Sequence, residues 1–139
     1  MEHKQVPCLD FHCDELLVNL LKIMNENNLT TIMSCQQCAH YTSVPHIWIS
    51  MPCDVMERFL FVLNDPYEIE DKKSLSARIA REYTVSKKFE KNRCWKYRLY
   101  IDRIENELFI SADVFFPFTD LEEVTQRLIS YINSFKIKR

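Results

Sequence analysis

Not one glycine occurs among the 139 residues of this chain. Glycine reaches positive φ without steric penalty, so every tight turn here must be made by Asn, Asp, Pro or Ser. Two nucleotide-binding devices are closed off as well. Neither a phosphate-cradling P-loop nor a dinucleotide fingerprint can be built without glycine.

Hydrophobic residues make up 47% and aromatics 12% of the chain, enough to bury a core, and the length predicts a single domain over 1–139. No apolar run is long enough to cross a bilayer. The N-terminal stretch MEHKQVPCLDFHCDELL lacks the basic start and apolar centre of a secretory signal. These features predict a cytoplasmic protein with no membrane partner. Its six cysteines (Cys8, Cys13, Cys35, Cys38, Cys53, Cys94) are then expected as reduced thiols.

Periodicity gives the elements. Over 14–28, Leu16, Leu17, Leu20, Leu21 and Met24 share a helical stripe, and Asn27-Asn28 supplies the stop that glycine would otherwise provide. Residues 30–35 are β-branched and short, a strand. Ile47, Ile49 and Met51 alternate with His46, Trp48 and Ser50, which is the period of a half-buried strand ended by Pro52. Residues 53–63 form a second amphipathic helix through Val55, Met56, Phe59, Leu60 and Leu63. Asn64-Asp65-Pro66 breaks it, and 74–83 reads as a shorter helix on Leu75, Ile79 and Tyr83.

Two alternating runs follow, 95–102 and 108–116, joined by a short loop at Glu105-Asn106-Glu107. Thr119 and Glu122 have capping-box spacing, opening a last helix with Leu121, Val124, Leu128, Ile129 and Ile132 inward. The sum is an α+β fold: an antiparallel sheet of about four strands with helices packed on one face. The other face would carry His46, Trp48, Lys96, Arg98, Tyr100, Phe109 and Phe115. A small monomer does not normally leave such large apolar groups wet, so Trp48, Phe109 and Phe115 predict a homo-oligomer, most simply a twofold dimer.

The net charge of −2 hides an asymmetry. Residues 72–103 hold 11 Lys and Arg against 3 acidic residues, leaving 7 against 17 for the rest. Within 87–100 the cations interleave with Phe89, Trp95, Tyr97 and Tyr100. Aromatic rings stack on a base while cations neutralise phosphate, so the stretch suits a nucleotide or a single strand. The acidic remainder would repel a long polyanion, which favours a small ligand over a long nucleic acid. The candidate binding residues are Trp48, Phe89, Arg93, Trp95, Arg98, Tyr100 and Arg103, the aromatics stacking a base and the arginines pairing with phosphate.

Cys35-Gln36-Gln37-Cys38 with His40 resembles half a zinc site, which Cys13 or His12 would have to complete. No second ligand pair occurs at matching spacing. Cys35 with His40 or His46 could also make a thiol–imidazole pair, although cysteine serves more often as a small hydrophobe. The reading is of no metal, no cofactor and no catalytic residue. A zinc- or thiol-dependent module on Cys35, Cys38 and His40 stays open as an alternative, as does a small nucleic-acid-binding protein.

The stretch CDELLVNLLKIMNENNLTTIMSCQ at 13–36, with HIWIS downstream, resembles a pattern of small phage-encoded α/β proteins. It combines Cys-Asp, a leucine-rich helix ending in Met-Asn, Thr-x-x-Ser-Cys-Gln and an Ile-Trp-Ile strand. In the family a Gly-His step follows the cysteine, whereas here Gln37 stands in that place and His40 comes later. Among such proteins the chain is similar to the Thoeris anti-defence sponges of the first type. That resemblance implies an oligomeric phage protein that binds a cyclic ADP-ribose signal and sequesters it without cleaving it. The expected function is therefore non-enzymatic sequestration of a cyclic nucleotide immune signal.

Overall fold

The computed structural model describes residues 4–8, 11–35, 45–68, 70–71, 73–81 and 95–137. Two strands at the start, β1 (Gln5–Cys8) and β2 (Phe11–Asp14), form an antiparallel hairpin. The remaining strands are β3 (Met33–Cys35), β4 (His46–Pro52), β5 (Lys96–Ile104) and β6 (Glu107–Pro117). They make one antiparallel sheet in the order β3-β4-β6-β5. The helices are α1 (Val18–Glu26), α2 (Cys53–Leu63), α3 (Leu75–Arg81) and α4 (Leu121–Ile137). The α+β architecture with a four-stranded sheet is as the periodicity requires, and the N-terminal hairpin is an addition to it.

The register explains the two faces. Ile47 lies opposite Phe116, Ile49 opposite Val114 and Met51 opposite Ala112, and all six are fully buried. Leu17, Leu20, Leu21, Met24, Phe59, Leu63, Val124 and Leu128 join them in one core. α2 lies on β4 and β6, while α1 and α2 both pack on α4. Each such aliphatic or Phe side chain, fully buried, contributes about 1.5–3 kcal/mol.

Among the described residues, glycine's absence is met by two residues at positive φ, Asn28 at 65° and Glu105 at 56°. Asn28 closes α1, letting the Leu29 N–H donate to Met24 O at 2.8 Å. Glu105 turns the β5–β6 hairpin, where Ile104 pairs with Glu107.

Three expectations need correction. Leu16 is exposed, because the first helix opens with a 3-10 turn, Glu15–Leu17, whose tighter pitch rotates it off the buried stripe. The Thr119–Glu122 capping box does not form. A 3-10 turn, Phe118–Asp120, precedes α4, so Thr119 sits inside a turn and not ahead of the helix; the turn's own cap is Pro117, which makes no side-chain bond. The expected strand at 30–35 is confined to Met33–Cys35, and Tyr83 lies outside the described residues. Among those described, no helix is long and apolar enough to cross a membrane.

Candidate functional site

The outer face of the sheet gathers the polar and aromatic residues that alternation assigns to it. Three rows cross the strands. Cys35, Trp48, Phe115 and Lys96 form the first; Met33, Ser50, Asp113 and Arg98 the second; Pro52, Ser111 and Tyr100 the third. The register puts each row on one side of the pleat, so these side chains are neighbours by construction.

Asp113 is the centre. Its carboxylate is buried and accepts from the Trp48 indole N–H at 2.9 Å, and from Arg98 Nε and Nη2 at 3.0 and 2.7 Å. Arg98 keeps 63% of its side-chain exposure. Its guanidinium carbon lies 5.9 Å from the Phe115 ring centroid, within cation–π range. Ser50 and Tyr100 share a hydroxyl–hydroxyl hydrogen bond of 2.6 Å. A buried carboxylate thus fixes one arginine and one indole, and a serine fixes one phenol, on a single surface.

Of the seven residues singled out, the structure brings together Trp48, Arg98 and Tyr100. Trp95 belongs elsewhere. It is fully buried on the helix side, stacked on Phe116 with its indole N–H donating to Asp120 at 3.0 Å, because odd positions near β5 face the helices. Arg103 is on that helix side too, opposite Leu108, with its Nε donating to the Glu105 carbonyl. Neither reaches the Arg98 surface. Phe89 and Arg93 lie outside the described residues, as do Cys38, His40 and Cys94. Alternation alone could have excluded Trp95 and Arg103, since both have the parity of Tyr97 and Leu99.

Asp113, the residue that organises the face, was missed. An acidic residue in a strand next to Val114 reads as solvent-facing until its register partner is known to be Arg98. The face is also less open than its composition suggests. Phe115, His46, Ser50 and Ser111 are buried within the chain itself, Trp48 is half-buried, and Phe109 alone of the three expected oligomer contacts is exposed.

A second polar cluster lies in the helix layer. Arg127 reaches Glu68 at 2.6 Å and donates to the Leu63 carbonyl at 2.8 Å. The Ser76 hydroxyl donates to Glu68 at 2.6 Å. The Arg127 hydrogen bond pulls the Glu68 carboxyl down to about 2, against an opposing push from burial. Burial pulls Arg127 down, but its bond to and the charge of Glu68 outweigh that and leave it raised. An open cleft of about 500 Å³ beside it includes Arg127 and Tyr131, yet the guanidinium is already committed to Glu68. This cluster ties the turn at Pro66–Glu68 to α4 and is structural.

Among the described residues, no group of three or more His, Cys, Asp or Glu is placed to hold a metal ion. Cys35 is half-buried on β3 beside Trp48. Comparison with protein-family models, curated proteins and solved structures gave no match.

Proposed function

We propose that this protein binds a small anionic ligand carrying an aromatic ring, a cyclic nucleotide signal, on the outer face of its sheet and holds it without chemical change. The observation that carries the reading is the buried Asp113 clamping Arg98 and Trp48 side by side, with Arg98 still 63% exposed. A guanidinium held by Asp113 through Nε and Nη2 loses little rotamer entropy when its exposed part meets a phosphate as a charged donor. Pairing with Asp113 cancels the formal charge of the guanidinium, so the net positive charge on this face comes from Lys96. Trp48 and Tyr100 offer ring surface for a base.

The ligand class follows from the resemblance of 13–36 to first-type Thoeris anti-defence proteins, which supports a cyclic ADP-ribose signal, a host-cell cytoplasmic setting and an anti-defence role. Sequestration needs only slow release, and a desolvated stack with a paired phosphate provides it. The test is calorimetric titration with cyclic ADP-ribose and related cyclic nucleotides, followed by heat release and mass spectrometry. Stoichiometric binding with the ligand recovered at its original mass is expected. A product of altered mass makes the protein an enzyme, and absence of binding to every cyclic nucleotide removes the reading.

A further inference from the structure

The β5–β6 hairpin outruns the rest of its sheet. β4 pairs with β6 only as far as Pro52 and Ser111, whereas β5 and β6 stay paired out to Ile104 and Glu107. Residues 101–110 therefore project as a two-stranded ribbon, an arrangement that is marginal in water when isolated. One side of this ribbon is aliphatic. Leu99, Ile101, Leu108 and Ile110 are 58, 70, 71 and 55% exposed. The register puts all four on the helix side, continuous with the buried Ala112 and Val114. It is a core face extended past its core.

We propose that the ribbon is a dimerisation arm whose aliphatic side packs against the same side of a second copy, across a twofold axis near Ile101 and Ile110. Charge at the two ends of the arm points to a second copy. Arg103 shares the aliphatic side at the tip, opposite Leu108. At the base, β4 runs straight into α2 on that same side, and α2 opens with Asp54, whose side chain is 78% exposed although Arg58 one turn on lies 3.8 Å away. A twofold axis through the middle exchanges tip and base, bringing Arg103 of each copy to the acidic helix start of the other. The complementarity occurs twice per dimer and sets the antiparallel crossing. Four large aliphatic side chains from each copy, with the ribbon backbone between them, supply on the order of the 1,000 Å² that a specific interface needs. The contact lies on the opposite side of the sheet from Trp48, Arg98 and Tyr100, so it does not depend on the proposed function.

Sedimentation equilibrium of the full chain at micromolar concentration tests this. The wild type is expected at twice 16.7 kDa. Ile101→Lys with Leu108→Lys, both at exposed positions, should keep the circular dichroism spectrum and raise the dimer dissociation constant about 100-fold or more. Arg103→Glu should weaken the dimer, and Arg103→Glu with Asp54→Arg should restore it. A wild-type monomer overturns the proposal, including one that captures some other protein through the arm. A dimer unmoved by the two lysines places the interface elsewhere and overturns it equally.

Discussion

Trp95 lies almost flat on Phe116, with ring centroids 4.7 Å apart and planes 19° from parallel. Both rings are fully buried, and the indole N–H is held by Asp120, whose other carboxylate oxygen accepts from Arg78 at 2.6 Å. The stack therefore joins the lead-in to β5 to the turn before α4 through one carboxylate. Trp95→Ala should cost about 3–5 kcal/mol by removing the largest buried side chain and leaving a cavity. Trp95→Phe keeps the stack and loses the N–H bond, so a cost of about 1–2 kcal/mol is expected. Urea unfolding measures both, and equal losses in the two variants would show that the Asp120 bond carries the contribution assigned to packing.

Acid should reveal the Glu68–Arg127 pair. Glu68 titrates at about 2 in the folded chain, below its ordinary 4.5. A depressed carboxylate adds stability above its unfolded pKa, and that contribution is lost as pH falls from about 5 toward 2. Glu68 is a quarter exposed, so screening trims the effect to about 2 kcal/mol. Glu68→Gln should cost that amount at neutral pH and flatten this part of the acid limb. If the variant and wild type lose stability in parallel below pH 5, the pair is not the source.

The N-terminal hairpin makes an alkaline prediction. Burial first, and the neighbouring Cys8 next, push the Cys13 thiol up to about 12. A raised thiol stabilises the fold below its unfolded pKa of about 8.5, and that stability is lost as pH rises toward 12. Cys8 and Cys13 are both buried, whereas Cys35 and Cys53 are half-buried. Brief alkylation of native protein at pH 8 should therefore label Cys35 and Cys53 ahead of Cys8 and Cys13. Peptide mapping that finds Cys13 labelled as fast as Cys35 would contradict the hairpin as described.

Much of this fold was legible because Ile47, Ile49 and Met51 in β4 and Ala112, Val114 and Phe116 in β6 recur at every second position and α2 keeps its apolar stripe, so the core face followed from parity. The ends were not. Thr119 and Leu16 both fell to 3-10 turns, which change the residues per turn without changing composition. The hairpin at β1 and β2 escaped notice because each strand has only four residues and β1 contains Pro7. For the candidate site, Arg98 and Tyr100 share the outer parity and meet on one surface, while Trp95 and Arg103 carry suitable chemistry on the helix-side parity. Asp113 could only be recognised through pairing, since register with β5 is a tertiary fact that no local pattern encodes.

The ligand surface is best probed by a substitution that spares Asp113. Arg98→Glu would set a second carboxylate against a buried one, so lost binding would be confounded with lost folding. Arg98→Lys keeps a cation beside Asp113 but removes the guanidinium, whose exposed part a phosphate would meet. We expect the thermal midpoint to move little and the affinity for the cyclic nucleotide to fall about 5- to 30-fold, equivalent to 1–2 kcal/mol. Trp48→Phe keeps ring surface and drops the N–H bond to Asp113, so it should weaken binding less than Trp48→Ala. Lys22→Gln, exposed on α1 and away from the sheet face, is the control expected to bind like wild type. Calorimetry on these four variants decides the location. If Arg98→Lys and Trp48→Ala both bind as tightly as Lys22→Gln, the ligand does not sit on this face, whatever its chemistry.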